Sequence, residues 1–202
     1  MSSNGTTERI RAISAATIVA LGLTVGLSAC GAQAQSAAPS PHITEVHPPG
    51  DIPDNQAYVM FTSSSGAFEL KVPEGWSKST SGSSTTFTDK LNSITIDQSS
   101  VASPPTVASA RTKQVSALQA SKPKFQLTDV TTFKRSGGSG VLVTYLDDSA
   151  PNTVTGSVVR QENQLFLFWK NGQQVALTLA APQGADNVDP WNIVTKSFTW
   201  LK

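Results

Sequence analysis

The side chains that most often do nucleophilic or metal chemistry are confined to the start of this 202-residue chain: its one cysteine is Cys30 and its two histidines are His42 and His47. Residues 48–202 therefore contain no Ser-His-Asp or Cys-His constellation, no Cys/His zinc site and no disulfide. Carboxylates are what remains. Asp147-Asp148, followed by Ser149-Ala150-Pro151-Asn152, could offer oxygens to a calcium ion, which takes about six to eight of them. Acidic residues beside Pro and Asn are equally the ordinary chemistry of a turn. Asp186-Asn187-Val188-Asp189 invites the same two readings, with Asp189 also explained as a helix cap. Glu69, Glu74, Asp97, Asp129 and Glu162 stand singly, so spacing singles out no pair of acids of the kind a glycosidase needs. The chain is read as a non-enzyme with no cofactor and no metal.

Aromatic rings are the other candidates. Trp76, Trp169, Trp191 and Trp200 lie among Phe166, Phe168 and Phe198, and core packing is the default for such residues. The alternative is that Trp76, Trp191 and Trp200 line a groove for an envelope lipid, glycan or protein. Trp76 follows the turn Pro73-Glu74-Gly75, and Trp191 falls in the first turn of a helix opened by Asp189-Pro190. Trp191 is accordingly expected to be the most exposed tryptophan, with the segment Asp189 to Trp200 lying near Trp76. Leu165-Phe166-Leu167-Phe168-Trp169 is apolar on both faces, as in a central strand covered twice, which puts Trp169 inside.

Fifteen Lys plus Arg against fourteen Asp plus Glu leave a formal charge of +1, so no field exists to gather nucleic acid. Only 14% of residues are charged, against about 25% in an ordinary soluble domain.

The N-terminus has the layout of an export signal: Arg9 and Arg11, an apolar run from Ala12 to Val25, then small residues. Ser14, Thr17, Thr24 and Ser28 interrupt the run, and no basic stop-transfer flank follows, which argues against a permanent span. Leu27-Ser28-Ala29-Cys30-Gly31 resembles the lipobox of bacterial lipoproteins. The resemblance implies that residues 1–29 are a signal peptide and that Cys30 becomes a lipidated N-terminus carrying two acyl chains, enough for durable anchoring. The chain left after cleavage is formally neutral. Residues 30–55 follow as a Pro/Ala/Ser-rich tether too poor in large apolar side chains to offset ordering entropy; His42 and His47 lie within it.

Residues 56–202 read as one domain. Candidate strands are Tyr58–Thr62, Phe68–Val72, Thr85–Thr88, Ser93–Gln98, Gln126–Phe133, Gly140–Leu146, Thr153–Gln161, Gln164–Lys170 and Gln173–Ala180. Gly137-Gly138, Glu162-Asn163 and Asn171-Gly172 are the connecting turns, the last being the best hairpin signal, and the strands from Gly140 onward read as an antiparallel meander. One helix is expected after Ser103-Pro104-Pro105, running to about Ser121 before Pro123, with a thin stripe of Val107, Ala110, Val115 and Leu118. A second starts at Asp189-Pro190 and runs towards Ser197-Phe198. The fold class is α+β: an antiparallel sheet of about six to nine strands covered by two or three helices.

Val72-Pro73-Glu74-Gly75-Trp76, a Phe87-containing strand, Ile94-Thr95-Ile96, a helix, a Gly-rich turn into a Val-rich sheet and a terminal helix ending Ser197-Phe198 together resemble the PsbP-like (LpqN-type) lipoproteins of actinobacteria. The resemblance implies a PsbP-like sandwich on the outer face of the cytoplasmic membrane of a Gram-positive bacterium, with no catalytic residues to carry over. The expected role is a membrane-anchored binding or interaction module; the alternative is a carrier for an apolar or amphipathic ligand.

Replacing Cys30 with Ala is expected to abolish lipid attachment and leave the precursor uncleaved. Detergent-phase partitioning with intact mass spectrometry checks this, and an Ala variant of mature mass in the detergent phase would contradict it.

Overall fold

The computed structural model describes residues 49–201; Leu27, Ser28, Ala29, Cys30, His42 and His47 lie outside them. The strands are β1 (Tyr58–Thr62), β2 (Phe68–Pro73), β3 (Ser77–Ser81), β4 (Ser84–Asp89), β5 (Asn92–Ser100), β6 (Gln126–Arg135), β7 (Gly138–Asp148), β8 (Arg160–Lys170), β9 (Gln173–Pro182) and β10 (Thr199–Trp200). The helices are α1 (Val107–Ala110), continued through a π-helical turn at Arg111–Val115 into α2 (Ser116–Ser121), and α3 (Val188–Ser197). The architecture is α+β and antiparallel, as the sequence predicts, but its strands form two sheets instead of the single sheet expected. The smaller sheet has the order β1-β2-β10 and the larger β3-β4-β5-β9-β8-β7-β6.

Side-chain alternation decides how these layers stack. On β8, Phe166 and Phe168 belong to one core together with Phe68, Leu70, Ile94, Ile96, Leu177, Leu179, Trp191 and Phe198. Leu165 and Leu167 belong to a second, with Val141, Val143, Tyr145 and Ala110. The small sheet and α3 supply the first cover. The α1–α2 segment supplies the second through Ala110 and the partly buried Val107, Val115 and Leu118. In the first core the Phe198 ring stacks on Phe168 with centroids 4.0 Å apart and lies 5.3 Å from Phe68, while Phe133 meets Phe166 and Phe168 edge-on.

The meander from β6 to β9 forms as expected, and its last turn is the Asn171-Gly172 hairpin. Both residues have positive φ (49° and 83°), the conformation for which Asn-Gly is preferred. Five further expectations need correction. Thr153–Gln161 does not extend as one strand, because Asn152 Oδ1 accepts from the Val154 and Thr155 amides and curls that segment into a turn. Glu162-Asn163 is not a turn: β8 runs through it, since buried Asn163 donates to buried Asp147 on β7 at 2.8 Å. β3 was unforeseen, its Ser-Lys-Ser-Thr-Ser sequence being an exposed, polar sheet margin. The first helix is capped at Thr106 rather than at Ser103, through a reciprocal box with Ser109 (3.0 and 2.9 Å). Finally, the segment before residue 56 does not hang free from residue 50 on: Ile52 is 5% exposed and joins the first core.

Phe198 is fully buried, so truncation to Ala is expected to cost about 3–5 kcal/mol. Urea unfolding checks this, and a loss below about 1 kcal/mol would mean that the aromatic stack does not hold the two sheets together.

Candidate functional site

The three tryptophans expected to share a surface line three separate hollows. Trp191 is 7% exposed and sits in the first core, which corrects the expectation of an exposed ring. Its place at the fourth position of α3 turns it toward the sheet rather than outward. Trp200 is half-buried, edge-on to Phe68 and Phe198, and lines an open hollow of about 410 Å³ with Trp169 and the Ser136–Gly138 turn. Trp169 is itself half-buried, its indole N–H donating to the Val101 carbonyl at 2.7 Å. Trp76 lies elsewhere, in a hollow of about 330 Å³.

That hollow is assembled from three stretches distant in sequence. Gly50 to Pro53 form one wall, Gln56 and Trp76 another, and the turn from Asp89 to Asn92 between β4 and β5 a third. The first and third of these walls are joined by the side chain of Asn187, at the N-cap of α3. Its Oδ1 accepts from the Ile52 amide at 2.8 Å, and its Nδ2 donates to the Gly50 carbonyl at 2.9 Å and to Asn92 Oδ1 at 3.3 Å. Asn187 is 2% exposed, so these bonds replace the water it has lost. The N-cap position expected of Asp189 is held by Asn187, whose side chain makes no capping bond to the helix, and Asp189 lies exposed in the first turn, where its charge suits the helix dipole. Asp51 Oδ1 accepts from the Asp186 amide at 2.8 Å. Gly50 could not carry a side chain: its φ is +100° and a Cβ would run into the Pro182 ring.

Trp76 follows Gly75, whose φ of +83° turns the chain out of β2. Gln56 spans this turn, donating to the carbonyls of Ala57 (2.7 Å) and Glu74 (3.0 Å). Trp76 thus rests partly on the first core with the rest of its ring toward the hollow. Lys90 has φ of 50°, a conformation uncommon for a residue with a Cβ. The hollow adjoins a second of about 320 Å³, sharing Lys90 and Asn92 with it and bounded on the far side by the β7–β8 loop. Asn92 is 5% exposed.

A larger concavity of about 700 Å³ between Lys124, Asp148 and Arg160 has its charges spent on one another. Lys124 Nζ is 2.8 Å from Asp148 Oδ2 and Arg160 Nη1 3.2 Å from Asp148 Oδ1. Arg160 also donates to the Lys124 carbonyl and to Gln126 Oε1. Asp147, on the opposite face of β7, is 1% exposed, bonded to Asn163 and 3.5 Å from Lys122 Nζ. The two carboxylates considered for calcium therefore diverge and are both engaged. Among the described residues no three His, Cys, Asp or Glu side chains converge as a metal would require. Burial, with the Asp147 charge adding to it, holds the Tyr145 phenol well above its ordinary pKa.

The sequence reading reached Trp76 but missed Gly50, Asp51, Asp89, Asn92 and Asn187. One signal was present: Ile52 is a lone branched apolar residue in an otherwise small and polar stretch, beside the turn-forming Pro49-Gly50-Asp51.

No protein-family model matches the chain, and no curated protein matches it in sequence. Among solved structures it is similar to the cyanobacterial PsbP of Synechocystis (14% identity, TM-score 0.49, covering 75% of this chain and 98% of that one). It is also similar to LpqN, involved in cell envelope biogenesis of Mycobacterium tuberculosis (15%, 0.44, 73% and 92%), and to the Saccharomyces cerevisiae Ran-binding protein Mog1p (11%, 0.45, 71% and 95%).

Hydrogen bonding from Lys124, with Arg160 beside it, holds the Asp148 carboxyl below its ordinary pKa. A carboxylate whose folded-state pKa is depressed stabilises the fold above its unfolded value of about 4 and loses that effect as pH falls through the folded value. Asp148→Asn is therefore expected to be less stable than wild type at pH 7, the gap closing towards pH 3. Urea midpoints at the two pH values check this, and a gap that persists at pH 3 would exclude the charge as its cause.

Proposed function

We propose that this chain is a membrane-anchored, extracytoplasmic binding module without catalytic chemistry, and that its binding site is the hollow around Trp76. The observation that carries the reading is the site's construction: a half-buried indole in a hollow two of whose walls, at Gly50–Ile52 and at Asn92, are fixed to each other by the buried Asn187. Such a concave, largely pre-formed place with one aromatic face and a few fixed polar groups is what small-ligand recognition uses. Its chemistry favours holding over transforming. No histidine or cysteine is present in residues 48–202, and one of its two carboxylates, Asp51, is engaged with a backbone amide.

Anchoring comes from the lipobox resemblance at Cys30, which supports a place on the outer face of a bacterial cytoplasmic membrane. The chain from Gly31 to residue 48 would then be the tether and residues 49–55 part of the domain. The tether would feed directly into the wall of the site, so the hollow would lie at the end of the domain from which the anchor departs. The second reading, a carrier for an apolar ligand, is less well supported. Asp51, Asp89 and Lys90 all line the hollow, and burying them under hydrocarbon would strip their water without replacement.

The test is retention of envelope material on immobilised full-length chain, with the retained fraction resolved into protein, glycan and lipid. Trp76→Ala is expected to lose at least tenfold of what wild type retains while unfolding within about 1–2 kcal/mol of it. Equal retention by the two would refute the Trp76 site.

A further inference from the structure

The two hollows adjoin, with Lys90 and Asn92 lining both, and are referred to jointly as the cleft. We infer that this cleft takes a neutral, hydroxyl-rich ligand, a short sugar chain, with one unit against Trp76 and the next beyond the Lys90-Leu91 turn. The inference rests on the reading of the Trp76 hollow as the binding site and adds the class of ligand.

Charge excludes the anionic classes first. Among the described residues Lys90 is the one cation lining the cleft, and it stands against Asp51 and Asp89. A phosphate or carboxylate ligand would meet more negative than positive charge. A cationic ligand fares no better, because the Lys90 ammonium occupies the same hollow as the carboxylates. An extended peptide would gain its main-chain bonds from an open strand edge, whereas the cleft lies across strand ends: Asp89 closes β4 and Asn92 opens β5 at a two-residue turn.

A pyranose meets what is left. It has an apolar C–H face, which matches the exposed part of the Trp76 ring, and a rim of hydroxyls that each donate and accept. Among the described residues the Asp89 carboxylate has no hydrogen-bond or ion-pair partner, and it accepts only. Asn92 is 5% exposed as a residue and lines both hollows; its Oδ1 accepts from Asn187 at 3.3 Å, while its Nδ2 has no partner among the described residues and remains within reach of solvent. A donor that reaches solvent from an otherwise enclosed side chain can exchange its water for a ligand acceptor at little cost. Beyond Asn92 the wall mixes the apolar Leu91, Ala150 and Val159 with Ser149, Asn152 and Thr155, whose side chains bond backbone groups of the β7–β8 loop, and carries no charge besides Lys90. An uncharged lining of mixed apolar and polar groups can meet both the C–H face and the hydroxyl rim of a second sugar unit.

The experiment titrates full-length chain in detergent with maltotetraose, cellotetraose, mannotetraose and chitotetraose, read by saturation-transfer NMR and calorimetry. At least one is expected to bind. Trp76→Ala should weaken it at least tenfold and Asp89→Asn several-fold, while Trp76→Phe, which keeps an aromatic face, should stay within a few-fold of wild type. Asp89 is exposed on a turn, so its variant tests the site without the risk of unfolding. Silence from all four sugars, or binding that Trp76→Ala leaves intact, overturns the sugar assignment. The retention experiment separates the two levels: silent sugars with envelope material still lost in Trp76→Ala would refute the ligand class and leave the site standing, whereas equal retention refutes the site itself.

Discussion

The fold turns on β8, whose side chains are large and apolar on both faces. A strand of that kind cannot lie on a solvated sheet surface; each face must be dried by a separate layer. Leu165 and Leu167 are dried by the α1–α2 segment, and Phe166 and Phe168 by the small sheet and α3. The Phe198–Phe168 stack ties the second of these covers to the strand that needs it. Such ring pairs contribute about 0.5–1.5 kcal/mol beyond their area, so the five-ring cluster of Phe68, Phe133, Phe166, Phe168 and Phe198 weighs heavily in a domain without disulfides.

The same packing explains why the cleft can exist. With the core filled through the middle of the sheet, concave space is left at strand ends, where turns and loops diverge. There the structure changes its means of support from apolar contact to directed hydrogen bonds. Asn187 holds Gly50, Ile52 and Asn92 in one buried group, each bond of the order of 1 kcal/mol but costly to leave unmade. Any rotation of α3 about its own start would therefore displace the wall of the cleft.

How much of this was legible in the sequence follows from which forces set each part. Strands with alternating or doubly apolar patterns, such as Phe68–Val72 and Gln164–Lys170, are readable because burial sets them and burial is written in residue type. The α+β class and the Asn171-Gly172 turn were readable for similar reasons. Polar segments were not. Ser77–Ser81 pairs with β4 through backbone bonds that any sequence can make, and Glu162-Asn163 stays extended because of Asp147, fifteen or more positions away. The site shows the same division. Trp76 announced itself by type and by the turn before it, whereas Asn92 and Asn187 are ordinary polar residues until the fold brings them together across 95 positions. Trp191 misled because a first-turn position was taken to face outward, whereas the direction α3 presents depends on the sheet beneath it.

The polar margin formed by β3 has a consequence for life on a surface. Molecules confined to a plane meet one another far more often than in free solution, and a bare sheet edge would then act as a seed for runaway strand addition. Ser77–Ser81 is exposed at every position and carries a lysine, and β6 at the opposite margin is irregular between Leu127 and Asp129. If the chain is anchored as proposed, strand addition at either margin of the larger sheet would therefore be disfavoured even where copies crowd together, and each could keep its cleft to itself.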